Sequence, residues 1–322
     1  MKYFFLGLLS VLFWQCDDGD LPFETIDFTN NNLQVCNNNE SNFYLFKTDQ
    51  NKSLVLRIPQ SNFVNFATNN QPRLVPLGGS NLLTYRVYNR DLGNQDICTI
   101  LPPADLMVSQ EWVSQSGVVE ITTEAIKSPA DANLATRVIR YRHRVRVLNL
   151  TFLRDGQLQT QDVFDVGIYE TNAQSFADFT SVPIFSCTTT DQKLKINNNQ
   201  ALTLQIPLTL LANEATPAGA PRKAAIDATN QLRYQVFANA VTNAALCGTS
   251  SVSPLEQWQA ANGTIDQDGW IEITTVQTND PNTAQVIWVH DIVLKRVRLV
   301  RNADQVDFLL GENYLFGQII TQ

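Results

Sequence analysis

Two tandem domains of mainly β structure are predicted from three features of the sequence: an internal repeat, strand-like alternation of apolar and polar residues, and few helical stretches. The repeat is plainest between residues 137–155 and residues 286–302, and it aligns His143 with His290, the only two histidines of the chain. Each copy has roughly 145 residues, a size that suits a β-sandwich. A lipocalin-like eight-stranded β-barrel is the alternative for each copy, because periodicity alone does not distinguish a closed sheet from two facing sheets.

The repeat divides the chain into a first domain at residues 25–172 and a second domain at residues 173–322, and each is long enough to bury its own core. Apolar residues make up 44% of the sequence and charged residues 17%, which is the composition of a folded protein. The net charge of −8 disfavours nucleic acid as a partner, because an acidic surface repels phosphate groups.

Matching strands are predicted in both copies from period-2 alternation of apolar residues. The pairs are Ser53–Pro59 with Ala201–Pro207, Leu83–Tyr88 with Leu232–Phe237, and Gly117–Thr123 with Gly269–Thr275. Pro59 and Pro207 mark strand ends, because proline has no N–H to donate to a strand ladder. Closing strands are expected at residues 164–169 and 308–320.

Between the strands, two segments of the second copy have local signatures. Ser253-Pro254-Leu255-Glu256 has the pattern of a capping box, so a short helix is expected there. Asp266-Gln267-Asp268-Gly269 is interpreted as a turn, because it lacks the later ligands of a calcium loop. Trp112 and Trp258 are expected to pack in the two cores rather than to form a carbohydrate-stacking platform.

The repeated strand that contains each histidine is too long to run flat. In the first copy Val145 and Val147 share a face with His143, whereas Leu150 and Phe152 have the opposite phase, and the second copy slips at the same point. One extra residue, a β-bulge, would return both apolar sets to the core face. Such a bulge would let the strand bend from one sheet of a sandwich to the other.

Residues 1–15 have the pattern of a signal peptide for export. Lys2 precedes a mainly apolar run, Tyr3–Trp14, which is shorter than the roughly 20 residues needed to span a bilayer. Cys16 follows this run directly, and residues 17–24 are rich in acidic side chains. The pattern predicts export. A cysteine directly after the apolar run resembles a bacterial lipoprotein signal, which implies lipid attachment at Cys16; a plain cleaved signal is the alternative.

The start Cys16-Asp17-Asp18-Gly19-Asp20 after such a signal resembles that of outer-membrane and surface lipoproteins of the flavobacterial (Bacteroidetes) type. Thr25–Phe28, Leu33–Cys36 and Phe43–Phe46 are similar to the same group. The resemblance covers residues 1–60 and implies a location rather than an activity. It implies that Cys16 carries the lipid, that residues 16–24 form an acidic tether, and that the anchor holds the chain in the outer membrane, facing the cell surface or the periplasm.

Setting Cys16 aside for lipid leaves four cysteines, two in each copy at matching places. Of the three possible pairings, the symmetry of the repeat favours disulfides Cys36–Cys98 and Cys187–Cys247. An exported chain meets an oxidising environment in which disulfides persist. A zinc site is disfavoured, because the wide spacing contains no Cys-x-x-Cys pair.

A ladder of four arginines, Arg140, Arg142, Arg144 and Arg146, alternates along the repeated strand of the first copy and should project from one face, at steps of roughly 6–7 Å. Guanidinium groups in such a row suit the sulfate, uronate or phosphate groups of a polyanionic polysaccharide. The structural interpretation, which the sequence favours, is that the arginines pair with carboxylates on neighbouring strands. The candidate partners are Asp162, Asp165, Glu120 and Glu124.

No catalytic, metal or cofactor site is predicted. His143 and His290 lie one per copy on expected core faces, and the sequence contains no Gly-x-Ser-x-Gly motif. Paired carboxylates for glycoside hydrolysis are not recognisable from sequence, since their spacing is spatial. The sequence therefore favours a non-enzymatic cell-surface lipoprotein that binds glycan or other envelope material. The alternatives are a structural or accessory subunit that has an outer-membrane protein as its partner and, more remotely, a hydrolase.

Overall fold

The computed structural model of the protein describes residues 26–37, 43–93, 95–99, 101–154, 156–188, 190–248 and 252–322. The predicted signal peptide at 1–15, the lipid site at Cys16 and the tether at 16–24 lie outside these described residues. Of the described residues, 52% lie in strands and 4% in helix. The predicted mainly β fold, of the sandwich or barrel class, is therefore confirmed.

One continuous antiparallel sheet forms the first half of the molecule. Its strands are β1 (Gln34–Asn37), β2 (Phe43–Asp49), β3 (Lys52–Arg57), β4 (Arg73–Pro76), β5 (Leu82–Tyr88), β6 (Val108–Lys127), β7 (Val138–Arg154) and β8 (Gln157–Asn172). They follow the order β1-β2-β3-β5-β6-β7-β8, and β4 also pairs with β6. The long strands β6 and β7 pair along most of their length, with register shifts near Ser116, and the fold includes a curled half-barrel.

The second half forms two sheets. Its strands are β9 (Phe185–Ser186), β10 (Gln192–Asn197), β11 (Gln200–Gln205), β12 (Arg222–Ala225), β13 (Gln231–Val236), β14 (Glu256–Ala260), β15 (Trp270–Asn279), β16 (Val286–Lys295), β17 (Arg298–Arg301), β18 (Asp307–Leu309) and β19 (Asn313–Thr321). A seven-stranded sheet has the order β18-β17-β14-β13-β11-β10-β9, and a four-stranded sheet has the order β12-β15-β16-β19. The helix α1 (Asn243–Cys247) follows β13, and no helix within the described ranges has the length and apolar content to cross a membrane.

The two halves share one arrangement of strands. The strand β7 bends at a point where the second half has two separate strands, β16 and β17. Asn149, inside β7, has φ of +50°, and Arg296, between β16 and β17, has φ of +47° at the matching position. This left-handed residue interrupts the ladder as the predicted bulge requires. Val147 and Leu150, on the two sides of the slip, are both fully buried, which confirms the bulge. In the second half the interruption is complete, so β16 and β17 belong to different sheets.

Two hydrophobic clusters lie on the two sides of the predicted domain boundary at 172/173. One cluster contains buried residues between Ile26 and Val166, and the other contains buried residues between Phe179 and Phe316. Trp112 and Trp258 are 1% and 3% exposed, so the prediction that both pack in the cores is confirmed. Neither ring is available as a stacking platform.

Of the two local signatures in the second copy, one is confirmed and one is wrong. The turn predicted at 266–269 is present: residues 265–267 form a turn between the paired residues Thr264 and Asp268. The helix expected at 253–256 is absent: Leu255 donates its backbone N–H to the carbonyl of Val236, and β14 begins at Glu256. The tertiary pairing with β13 overrides the capping-box pattern, and the short helix α1 lies earlier in the chain.

Both predicted disulfides are confirmed. Cys36 bonds to Cys98 and Cys187 bonds to Cys247, with Cα–Cα distances of 5.3 and 5.5 Å. Each bridge ties the long connection after the central strand, β5 or β13, back to the first strands of the same copy. Each copy is therefore cross-linked within itself and not to the other.

A buried arginine of the second half joins the two halves. Arg301 is 1% exposed and forms a salt bridge of 2.6 Å with the equally buried Asp304. From the first half, the backbone carbonyl of Asn65 and the hydroxyl of Tyr141 accept hydrogen bonds from its Nη2 at 2.9 and 2.8 Å. The guanidinium also lies 4.2 Å from the ring centroid of Phe66. Residues of both halves thus hold the guanidinium of Arg301 in place.

The position of Arg301 has a counterpart in the first copy with different surroundings. Arg301 lies over the ring of Trp258 at 4.8 Å, and Arg154 lies over the matching Trp112 at 4.7 Å. Arg154 is only partly buried, whereas Arg301 is covered by the first copy. The same cation–π pair therefore occurs in both copies, but only the pair in the second copy, Arg301 with Trp258, lies at the contact between the halves.

Candidate functional site

The four arginines of the ladder project from the outward face of β7 and are matched by carboxylates on both neighbouring strands. The ion pairs are Arg140–Glu170 at 2.8 Å, Arg142–Glu124 and Arg142–Glu170 both at 3.1 Å, Arg144–Asp165 at 2.6 Å, and Arg146–Glu120. The structural interpretation of the ladder is therefore confirmed for Glu120, Glu124 and Asp165. Glu170 is an additional partner, and Asp162 forms no ion pair with the described residues.

Most of these ion pairs are open to solvent, which limits what each contributes to stability; the exception is Arg146–Glu120, whose Glu120 side chain is 12% exposed. The side chain of Arg144 is 56% exposed and that of its partner Asp165 is 49% exposed. Pairs of this kind typically stabilise a fold by about 0–1 kcal/mol. The result is a face on which positive and negative groups alternate, so it presents many hydrogen-bonding groups and little net charge.

A cavity of about 560 Å³ lies beside the ladder, at the junction of the two halves. Arg142 and Arg144 line it, whereas Arg140 and Arg146 do not. The other lining residues are Ala67, Thr68, Asn69, Asn70, Thr122, Thr123, Glu124, Ala125, Lys127, Ile168, Val306 and Asp307. Ten of the fourteen lining residues have polar side chains, and the halves meet in this wall through the 2.6 Å salt bridge between Lys127 and Asp307.

His143 lies in the core behind this face, within a directed chain of hydrogen bonds. Arg73 donates to the Thr123 hydroxyl at 2.7 Å, which leaves that hydroxyl to donate to Nδ1 of His143 at 2.8 Å. Nε2 of His143 then donates to Thr171 at 2.9 Å, and Thr171 donates to Asn65 at 2.5 Å. Both ring nitrogens of the neutral imidazole are satisfied, as the chemistry of a buried histidine requires.

The second copy repeats this chain of hydrogen bonds. Arg222 donates to Thr275 at 2.7 Å, Thr275 lies 2.8 Å from Nδ1 of His290, and Nε2 of His290 lies 2.9 Å from Thr321, which donates to Asn213. Burial, with a smaller contribution from Arg73, lowers the pKa of His143 to about 4. Burial and Arg222 likewise lower the pKa of His290. Both histidines are therefore neutral structural groups, as the sequence predicts.

The partners of the histidines are the residues that sequence reasoning did not find. Arg73 and Arg222, and Thr123 and Thr275, occupy matching positions of the repeat. The signal that could have identified these residues is that both copies have the same polar residue at a strand position where an apolar residue is expected. Across the ranges that the structure describes, no group of three or more histidine, cysteine, aspartate or glutamate side chains has the arrangement of a metal site.

Comparison with known proteins gives no family: no family model, no curated protein and no solved structure matches this chain.

Proposed function

We propose that the protein is a non-enzymatic cell-surface lipoprotein of the outer membrane, and that it binds glycan or other envelope material in the cavity beside the arginine ladder. The observation that carries the proposal is the position of Arg142 and Arg144 on the wall of that cavity. The volume of about 560 Å³ falls in the range of roughly 300–1,000 Å³ found for ligand sites. Two disulfides support an exported location, because such bonds persist in oxidising compartments.

The charges on the wall favour a neutral or weakly acidic glycan over a strong polyanion. Glu124 and Asp307 face the same cavity as Arg142, Arg144 and Lys127, and each cation has a carboxylate partner. A highly sulfated chain would have to displace these carboxylates. Sugar hydroxyls, in contrast, both donate and accept, so they fit a wall of alternating guanidinium, carboxylate and amide groups.

The test is a thermal-shift and retention panel of neutral and acidic polysaccharides, with and without calcium. The double variant Arg142→Gln/Arg144→Gln should lose the saturable shift given by the bound glycan. The matched control is Arg140→Gln/Arg146→Gln, which removes two ladder arginines that do not line the cavity. Equal binding by both double variants and the wild type would contradict the proposed site, and the absence of any saturable shift would contradict the glycan-binding function.

A structural or accessory role beside an outer-membrane protein is the second candidate, and the last strand of the curled sheet favours it. β8 is terminal in the sheet order of the described strands. Leu158, Val163 and Ile168 on this strand are 64%, 50% and 50% exposed. Exposed strand edges with apolar side chains are templates for pairing with another chain. Cross-linking on intact cells should capture a membrane partner through β8, and Val163→Lys should reduce the yield.

A further inference from the structure

A second cavity lies on the other side of the first half, under the connection between β5 and β6. It has a volume of about 330 Å³, and its floor is the outward face of β2, β3 and β5. The floor residues are Tyr44, Val55, Arg57, Leu82, Thr84, Arg86 and Tyr88. Asp96, Ile97, Thr99, Pro102 and Leu106 of the connection, with Val108 of β6, cover it, and the Cys36–Cys98 disulfide fixes the connection to β1. The cavity is thus bounded on one side by a cross-linked part of the chain.

Arg57 is the cation that this cavity presents to a ligand. It lies opposite Tyr44 on the neighbouring strand, with its guanidinium carbon 6.0 Å from the tyrosine ring centroid. Among the described residues it has no carboxylate partner, in contrast to every arginine of the ladder. A guanidinium group binds a carboxylate in a planar two-bond geometry and also stacks on aromatic rings.

The acidic groups around the cavity are already engaged elsewhere. Nη1 of Arg90 lies 2.8 Å from the carboxylate of Asp96, and Nε of Arg90 lies 2.8 Å from that of Asp105. Arg86 is paired with Glu111 at 2.6 Å. Arg86 and Arg90 are thus both paired with carboxylates, whereas Arg57, which lines the cavity, has no carboxylate partner among the described residues.

The rest of the wall suits a small ring. Val55, Leu82 and Leu106 offer apolar surface, and Thr84 adds a hydroxyl group on the same floor. In the second copy, Gln205 and Gln235 stand at the positions of Arg57 and Arg86, and Arg233 stands at the position of Thr84. An arginine at the position of Arg57 is therefore not required by the fold that the copies share.

We propose that this cavity is a binding site for a small cyclic carboxylate, with Arg57 binding the carboxylate and Tyr44, Val55 and Leu82 contacting the ring. Sugar acids and aromatic acids share this chemistry, because both combine one carboxylate with a ring face of C–H groups or π electrons. The site does not depend on the glycan site between the halves, since no residue lines both cavities.

The test is ligand-observed saturation-transfer NMR on the whole protein, with D-glucuronate and benzoate as probes and D-glucose and benzamide as their neutral counterparts. We expect saturable binding of at least one acid and about tenfold weaker binding of its neutral counterpart, because a charge-assisted hydrogen-bond pair is lost. The variant Arg57→Gln, which installs the residue of the second copy, should weaken the acid about tenfold as well. Binding of glucuronate alone would identify a sugar acid as the ligand class, and binding of benzoate alone would identify an aromatic acid.

The matched control is Arg298→Gln, which removes an exposed arginine from β17 of the second copy. It should leave binding unchanged. The proposal is overturned if neither acid binds saturably, if Arg57→Gln binds as well as the wild type, or if Arg298→Gln weakens binding as much as Arg57→Gln.

Discussion

Replacing Arg301 with methionine should destabilise the protein more than any change at its surface. The substitution keeps much of the aliphatic length but leaves Asp304, 2% exposed, as an uncompensated buried carboxylate. It also leaves Glu256 without its 3.0 Å partner. Removing one member of a buried ion pair typically costs about 3–5 kcal/mol. We expect a loss of this size in the free energy of unfolding.

Urea unfolding followed by tryptophan fluorescence measures this loss, since Trp258 lies directly under the guanidinium of Arg301. Arg298→Met on the same strand is the control; its side chain is exposed, so its effect should stay within about 0.5 kcal/mol. The double variant Arg301→Met/Asp304→Asn should recover part of the loss, because the unpaired charge is gone. The reasoning is refuted if Arg301→Met loses less than about 1 kcal/mol, or if the double variant is no more stable than the single one.

Three further predictions concern pH, the disulfides and a crowded glycine. The pKa of His143 is about 4 in the folded protein and about 6.5 in an unfolded chain, so the unfolded state takes up the proton first as the pH falls. The free energy of unfolding should therefore decrease by up to about 1.4 kcal/mol per pH unit as the pH falls from 6.5 to 4. In His143→Asn the urea midpoint should change less steeply with pH, and a slope equal to that of the wild type would contradict the prediction. The double variant Cys36→Ser/Cys98→Ser opens a loop with a sequence separation of 62 residues, which should lower the free energy of unfolding by about 4 kcal/mol in the chain-entropy treatment; a loss below 1 kcal/mol in urea would contradict this estimate. A Cβ on Gly263 would lie 2.0 Å from a backbone carbonyl oxygen, whereas one on Gly93 would meet its nearest atom at 3.5 Å; Gly263→Ala should thus lower the melting temperature strongly and Gly93→Ala should not, and equal melting temperatures would be the contrary result.

Periodicity and repetition predicted the strands, the bulge and the disulfides because each is a local or symmetric property of the chain. Period-2 alternation depends only on which face of a strand is buried, so β3 and β11 are found close to their predicted places. The pairing of Cys36 with Cys98 follows once two copies are recognised. The bend at Asn149 is likewise visible as a change of phase.

What the sequence did not predict depends on contacts between distant segments. The segment at 253–256 has a helix signature, but its pairing with β13 makes it extended. The first half forms a single sheet and the second half forms two sheets, because the long strands of the first half are interrupted at the bend in the second. The cavity beside Arg142 and Arg144 exists only because the second half contributes Val306 and Asp307 to its wall.

The joint at Arg301 gives each copy a different part in the molecule. The first copy supplies the backbone carbonyl of Asn65 and the ring of Phe66, and the second copy supplies the arginine that they cover. Arg154 could not take its place in the same joint, because Glu214 stands where the repeat aligns Phe66. The two copies therefore share one plan of strands but are no longer interchangeable at the joint.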